Sequence, residues 1–549
     1  MQNKISRREM LRLTGRTVAL AALSGGGCLA APRKSPLANP HGVIIGEANG
    51  AAAGMKVLAD GGNAIDAIVT AALVSTMATP ARCGIGGYGG HATIALAGGM
   101  KIVSIDFNTT APAAAREDMY PLDEKGEVKG KINYHGWLAA GVPGTLAGLQ
   151  LALERYGTKS FREVVQPAIS LARDGAKLFP QMATTLRSET AYWRRDPTMA
   201  KIYLRDGQSL NAGETFRNPE LAAMLTTLAD RNSVDSFYRG DIAQRIADGF
   251  KKNGGLVTVA DLAAYHAKET EPSTLRWNNL TIHTAPLTAG GLTVLEALAI
   301  LQALKWDALP ADGARVHARL EALRLAWRDR LELFGDPEKV KVPVEKLLSA
   351  DYARECAEKI SATVKAKKPL PLQIQYPAHD GTVNLSCVDK HGNLVALTIT
   401  HGSTFGAQVA VEGLGLCLGH GMSRFNPHPG QPNSVGPGKR PVNNMCPSVV
   451  LRGDKPVLAL GGAGGVRIPN SIFDTLTNFI VLGQTPEKSV NAPRLHCTGV
   501  TDVEVTKDWL ARDAEYLRAV GFKVKNGATA MVSAVTFDAA SGDSRAVVR

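Results

Sequence analysis

Aromatic residues are scarce in this chain: 13 Phe, 11 Tyr and 6 Trp make up 5% of 549 residues. No basic patch is interleaved with them, so the stacking platforms and cationic stripes of a nucleic-acid binder are missing. Metal-site spacing is missing as well. The seven cysteines stand at 28, 83, 356, 387, 417, 446 and 497 with no CxxC, and the twelve histidines contain no HxxxH pair. Neither a structural nor a catalytic metal is expected, and no other cofactor. The cysteine spacing is irregular; a disulfide is allowed in an exported protein, but Cys387 and Cys417 lie on apolar strand patterns where a buried free thiol is the commoner explanation. No apolar run is long enough to form a stable membrane span. There is no internal repeat and no low-complexity linker to divide the chain.

Charge is unevenly placed. The net charge is +12. Lys4, Arg7, Arg8, Arg12, Arg16, Arg33 and Lys34, opposed only by Glu9, carry about half of it in the first 35 residues. Ser6-Arg-Arg-Glu-Met-Leu11 followed by apolar Val18 to Leu23 is a twin-arginine export pattern, the alternative being a basic, structureless terminus. Residues 1–35 are therefore read as an export signal, and a periplasmic or extracellular location is expected. Cys28 follows Gly25-Gly-Gly27 and lacks the larger apolar residue that lipoprotein processing prefers three positions earlier, which disfavours a lipid anchor.

Apolar helical patterns (Ala64 to Thr76, Leu292 to Leu304, Val316 to Leu333) alternate with short strand-like runs, so the class is mixed α and β. The most informative segment begins at Gly381-Thr382, after a Pro-rich, poorly periodic stretch from Val364. Val383 to Asp389 and Leu394 to Thr400 alternate as strands, and Lys390-His391-Gly392 suits a three-residue hairpin with glycine in the left-handed position. Pairing Asp389 with Asn393 sets Val383, Leu385 and Cys387 opposite Ile399, Leu397 and Val395, and Thr382 opposite Thr400; a bulge would flip the faces. A threonine that opens a strand after a linker can become a nucleophile whose own α-amine is its base, once the bond before it is cut. It can equally be an ordinary β-branched strand residue.

Two glycine clusters differ in context. Gly84-Ile-Gly-Gly-Tyr-Gly89 matches a dinucleotide fingerprint, but a helical run precedes it and a strand pattern, His91 to Ala97, follows. That order is the reverse of what the fingerprint needs, so it is read as a tight turn. Gly461-Gly-Ala-Gly-Gly465 stands between the strand-like Val457 to Leu460 and a helical pattern from Pro469 to Ile480. There, backbone N–H groups can converge on developing negative charge, although a packing turn reads the same way.

Several motifs occur in order from about residue 41 to the last residue. They include Asp60-Gly-Gly-Asn-Ala-Ile-Asp66, Cys83-Gly-Ile-Gly-Gly-Tyr-Gly-Gly90, Gly141-Val-Pro-Gly-Thr145, Tyr156-Gly-Thr158, Val165-Gln-Pro-Ala168, Asn253-Gly-Gly-Leu256 and Asp261-Leu-Ala-Ala-Tyr265. Gly438-Lys-Arg-Pro441, Gly461-Gly-Ala-Gly-Gly465 and Asn491-Ala-Pro-Arg494 complete the set. With these the chain resembles the γ-glutamyltranspeptidase family. The resemblance implies an α+β, four-layer αββα sandwich of the N-terminal nucleophile hydrolase type. It also implies cleavage between Gly381 and Thr382 into intertwined subunits, here residues 36–381 and 382–549, with further dimerisation left open. It assigns Thr382 as nucleophile, Thr400 as its neighbour, and Gly464 and Gly465 as the oxyanion hole for a small-molecule amide substrate.

The glutamate-reading positions depart from the family. The arginine after the early Asp-Phe is Asn108, the two serines after Arg-Pro-x are Asn443 and Asn444, and the asparagine after the second threonine is Gly402. The amine-binding acid is Arg424, and the glutamine three positions before it is Gly421. Losing a bidentate arginine costs a buried carboxylate about 3–5 kcal/mol. Arg424 sets like charge where an ammonium would sit; it can instead meet an acid on another acyl chain, or lie on the surface. The segment between Phe425 and Gly438 is short and rich in Pro and Gly, which suggests a site without a lid, favouring water as acceptor. Three readings follow: an amide hydrolase with altered acyl specificity, a γ-glutamyl hydrolase or transpeptidase using other residues, and a non-catalytic scaffold.

Overall fold

A computed structural model of the chain describes residues 39–97, 101–194, 196–372 and 381–549. The export pattern, Cys28 and residues 373–380 of the segment before Gly381 lie outside the described residues.

Two six-stranded antiparallel sheets form the centre. The first runs in the order Gly42–Ile45, Val383–Asp389, Leu394–Thr400, Gly89–Ala95, Ile102–Asp106, Lys268–Thr270. The second runs Ser544–Val548, Met531–Phe537, Lys455–Ala463, Ser448–Arg452, Leu280–Thr284, Ser273–Trp277. Helices cover both outer faces. Ala64–Ala78 is largely apolar and buried along its whole length, as a helix between a sheet and further helices must be. It packs with Thr145–Tyr156 and Phe161–Asp174 on the first sheet. Gly291–Ala303, Gly313–Leu333 and Arg467–Leu476 cover the second. The α+β, αββα sandwich expected from the sequence is the architecture observed.

The hairpin has the expected register: Val383, Leu385 and Cys387 face Ile399, Leu397 and Val395. Gly392 takes a φ of +83°, and Asp389 N–H donates to Asn393 O at 3.2 Å. Every residue of both strands is buried. Their alternation therefore separates two kinds of interior, where an exposed and a buried face are the usual meaning of such a pattern. Leu385, Cys387, Val395, Leu397 and Ile399 join the outer core under the helices. Asn384, Ser386 and Thr398 turn to the second sheet, where the Asn384 amide lies 2.8 Å from Thr398 Oγ1 and 2.7 Å from Ser533 Oγ. Ser386 Oγ donates to Ser533 O at 3.0 Å.

Two buried carboxylates lock the helical layer, Asp66 within the layer itself and Asp389 to this hairpin. Asp66 caps its own helix through Asn63 N–H and accepts from Thr158 N–H at 2.8 Å, Thr158 Oγ1 at 2.6 Å and Lys159 N–H at 3.0 Å. Asp389 accepts from Ala64 N–H at 3.0 Å, from His391 N–H and Asn393 N–H in the hairpin turn, and from Asn393 Nδ2 at 2.6 Å. Both carboxylates are buried and satisfied by several donors, which is what makes such burial tolerable.

The second glycine cluster is less of a loop than expected. The strand extends to Ala463, and Gly464, Gly465 and Val466 form the turn into the helix beginning at Arg467. Among the described residues all six cysteines are buried free thiols, and no helix is long and apolar enough to cross a membrane.

The polar contact between the sheets should be needed for stability. Asn384→Leu would leave the Thr398 and Ser533 hydroxyls facing an apolar group, at a cost of about 1–3 kcal/mol. Urea unfolding in an uncleavable Thr382→Ala background is expected to show a lower midpoint at unchanged slope.

Candidate active site

Gly381-Thr382 enters the first strand of the hairpin, and Thr400 leaves the second. Thr382 is 6% and Thr400 2% exposed. The Thr382 hydroxyl donates to Gly381 O at 2.6 Å, and the Thr400 hydroxyl bonds the same oxygen. In the uncut chain both hydroxyls thus converge on the Gly381 carbonyl. Gly402 N–H donates to Thr400 Oγ1 at 2.8 Å. That bond occupies a lone pair of Thr400 and directs its single proton at Gly381 O. The arrangement can polarise the carbonyl and stabilise negative charge on it.

The neighbouring imidazole is no base. His401 is 1% exposed, and burial pushes its pKa down to about 3, so it stays neutral near pH 7.

The turn at Gly464 and Gly465 lies near the same end of the hairpin. A Cβ on Gly461 would stand 2.1 Å from Asn384 Oδ1, so Gly461 sits over Asn384. Val388 and Ala459 share the apolar cluster between the sheets. Gly464 has φ +146° and Gly465 +58°, and their carbonyls accept from Arg467 N–H and Ile468 N–H.

The asparagines expected to line the substrate pocket are bonded within the protein. Asn108 is fully buried, with Nδ2 donating to Thr288 Oγ1 and Pro441 O, each at 2.7 Å. Asn443 Nδ2 bonds His91 Nε2 at 2.9 Å, and Asn444 Oδ1 accepts from Arg330 Nη2 at 2.8 Å. Arg330 Nη2 also donates to Asn443 O at 2.6 Å. These asparagines serve as internal struts. Asp106 is engaged too, by Arg440 Nη1 at 3.1 Å, with His91 Nδ1 3.6 Å away. Burial lowers the His91 pKa, an effect that Asp106 opposes.

Gly402 and Gly421 admit no side chain. Gly402 has φ +105°, and a Cβ there would stand 2.6 Å from His420 Nε2. One on Gly421 would stand 2.4 Å from Thr109 Cγ2 and 2.8 Å from Tyr88 Cβ. The family's asparagine and glutamine would not fit at these positions without repacking. His420 is held in turn by a bond between its Nδ1 and Ser423 Oγ.

Arg424 is 8% exposed, which overturns a surface role. It ends the short 3-10 turn Gly421–Arg424; its Nη2 donates to Gly402 O at 2.6 Å, and its guanidinium lies over Tyr88, 5.9 Å from the ring centre. Asn433 Nδ2 holds the Arg424 carbonyl at 2.7 Å while Asn433 Oδ1 accepts from Val442 N–H at 3.0 Å. The short segment after Phe425 therefore ties Arg424 to the strand entry that carries Asn443 and Asn444. Sequence reasoning missed Arg330, His420 and Asn433. Arg330 sits in a helix 113 residues from Asn443, and nothing in the local pattern joins them; His420, in a Gly-rich stretch, matched no spacing rule. Among the described residues no cluster of His, Cys, Asp and Glu is suited to a metal ion.

The sequence model of the family described as gamma-glutamyltranspeptidase matches residues 50–547. The glutathione hydrolase proenzyme of Escherichia coli (strain K12) is 34% identical over 548 residues, 93% of each chain. The acylase ACY 1 proenzyme of Pseudomonas sp. (strain V22) is 34% identical over 474 residues, 85% of this chain and 84% of that one. Among solved structures, the cephalosporin acylase from Bacillus halodurans superposes with a TM-score of 0.84 at 25% identity, covering 95% of this chain and 96% of that one. Matched along nearly its whole length in sequence and in fold, the chain belongs to the γ-glutamyltranspeptidase family, amide-cleaving hydrolases and transferases built on the N-terminal nucleophile hydrolase fold.

Proposed function

We propose that the chain is a self-processing threonine amidohydrolase whose acyl group is not a standard γ-glutamyl. The observation that carries the first half is the meeting of Thr382 and Thr400 on Gly381 O. Thr382 Oγ attacks the Gly381 carbonyl carbon while Thr400 supports the developing oxyanion. The peptide C–N bond breaks, the Thr382 nitrogen takes the proton, and the resulting ester is hydrolysed. Gly381 becomes a carboxylate and Thr382 an amino terminus, leaving subunits 36–381 and 382–549. In turnover the freed α-amine takes the Thr382 hydroxyl proton, the buried His401 being unsuited to it. Gly464 and Gly465 supply N–H groups to the tetrahedral oxygen, and water is the main acceptor. Relatives named proenzymes support a processed precursor.

The second half rests on Arg424 and the internal asparagines. Asn108, Asn443 and Asn444 spend amide groups on the protein itself, Asp106 is paired with Arg440, and a cation stands at Arg424. Both charges of a glutamyl group lack their usual partners. The relatives named glutathione hydrolases favour a second reading, a true γ-glutamyl enzyme with a rebuilt pocket. Retention of both threonines and the paired glycines weighs against a scaffold. The twin-arginine pattern at Ser6 to Leu11 supports export.

Maturation is tested on a denaturing gel with intact-mass analysis. Wild-type protein is expected to give two bands and Thr382→Ala one; splitting of that variant at the same bond would sink the mechanism. Thr400→Val is expected to slow splitting by roughly 10²–10³-fold, the loss typical of one oxyanion donor, with Thr400→Ser retaining most of the rate.

Specificity is tested with glutathione and γ-glutamyl p-nitroanilide. The processed enzyme is expected to fall below the roughly 10⁴–10⁸ M⁻¹s⁻¹ in kcat/KM usual for enzymes on their own substrates. A value inside that range would install the second reading instead.

A further inference from the structure

Glu296 is a fully buried acid in the middle of helix Gly291–Ala303, and no protein donor reaches either of its carboxyl oxygens. A second carboxyl group faces it, that of Asp329 on helix Gly313–Leu333. Two carboxylates cannot bond each other, because both only accept; one proton between them makes the contact a hydrogen bond. The donors already present say which group holds it. Asp329 accepts from Arg328 Nε at 2.8 Å and from the Tyr352 hydroxyl, which itself accepts from Arg328 Nη2 at 2.8 Å. Asp329 is thereby kept as the carboxylate, and Glu296 is left as the acid. Burial first, and the facing Asp329 next, hold Glu296 well above the ordinary glutamate range. Cys356, from helix Ala350–Lys365, acts in the same direction and Arg328 against it. Charges on the other elements packed against this helix are engaged elsewhere: Asp474 with Arg319, Arg467 with Glu504, Arg276 with Asn278 O and Asp307 with Arg315.

The next rung between the same two helices reaches the candidate active site. Thr293 lies one turn before Glu296 on the same face, and its Oγ1 accepts from Arg330 Nη1 at 3.4 Å. Arg330 Nη2 donates to Asn443 O at 2.6 Å and to Asn444 Oδ1 at 2.8 Å. Gly290, where the helix starts, donates its N–H to Met445 O at 2.8 Å. The helix that carries Glu296, and the residue after Asp329, therefore both rest on the strand entry of Asn443 and Asn444. A second negative charge on the Glu296 rung sets like charges against each other in a buried place, and the two helices must part to relieve it.

We propose that Glu296 is a positioning residue: as a neutral acid donating to Asp329 it closes the helix pair on Arg330, and its ionisation withdraws Arg330 from Asn443 and Asn444. The proton passes between Glu296 and solvent, and no other bond is made or broken. The proposal holds whatever acyl group the site takes. Its sign follows from linkage. The unfolded chain releases this proton above the ordinary value of 4.5, whereas the folded chain keeps it. The stability it contributes is complete below that pH and is lost as pH rises to the point where folded Glu296 ionises.

The test compares the full Thr382→Ala chain with the same chain carrying Glu296→Gln, whose amide can donate to Asp329 at every pH. Urea unfolding at a series of pH values gives the ratio of their folding constants. That ratio is expected to fall about tenfold per pH unit above 4.5 and to level off where folded Glu296 ionises. A ratio independent of pH overturns the neutral acid. Hydrogen exchange of the peptide containing Asn443 and Met445, whose N–H groups bond Thr288 O and Asn443 Oδ1, reads the site. Across the pH at which the ratio levels off, this peptide is expected to lose about tenfold in protection relative to the Glu296→Gln chain at the same pH. Equal exchange in the two chains, or a ratio that has not levelled off when the chain unfolds, overturns the positioning of Arg330. Should Glu296→Gln fail to fold, Glu296→Met, close in volume and unable to ionise, takes its place in both comparisons with the same outcomes.

Discussion

The carbonyl of Gly381 is the point on which the rest of the molecule is arranged. Two threonine hydroxyls reach it from the ends of adjacent strands, and neither could without the hairpin register that sets Val383 against Ile399. That register depends on Asp389, which closes the hairpin turn and ties it to the first turn of Ala64–Ala78. A slip by one residue would turn Thr382 away from the second sheet and send Asn384 into the apolar core under the helices. Catalytic geometry and core packing are thus specified by the same pairing.

Gly402 carries the same logic outward. Its N–H orients Thr400, its carbonyl holds Arg424, and its missing side chain makes room for His420. The changes at Gly402, Gly421 and Arg424 are coupled: restoring an asparagine at 402 would press on His420, and a glutamine at 421 on Thr109 and Tyr88. Asn108 is likewise buried, its Nδ2 bonded to Thr288 and Pro441.

Much of this was legible in the sequence because it is local. Alternation in Val383 to Asp389 and Leu394 to Thr400, with Gly392 in the turn, fixes a hairpin whatever surrounds it. The Asp66 and Tyr156-Gly-Thr158 motifs proved to be one lock, although only the fold brings them together. What stayed hidden was tertiary. Asn384 and Ser386 read as a face distinct from Leu385 and Cys387, but period-two patterning cannot tell solvent from a polar seam between two sheets. Arg424 could be read as a surface cation or a site cation, because only burial separates the two. Arg330 lies in a helix whose buried charges match no amphipathic pattern, and its partners Asn443 and Asn444 arrive from another part of the chain.

The central claim is that Thr382, and no other residue, carries the acyl group. The direct measurement is an acid quench of the processed enzyme during steady turnover of its fastest anilide, followed by proteolysis and mass spectrometry of the fragment beginning at residue 382. The account predicts that the mass of the acyl group appears on the amino-terminal peptide of that fragment and maps to Thr382. An adduct on another residue during full turnover would contradict it, as would turnover by a chain whose Gly381–Thr382 bond is intact.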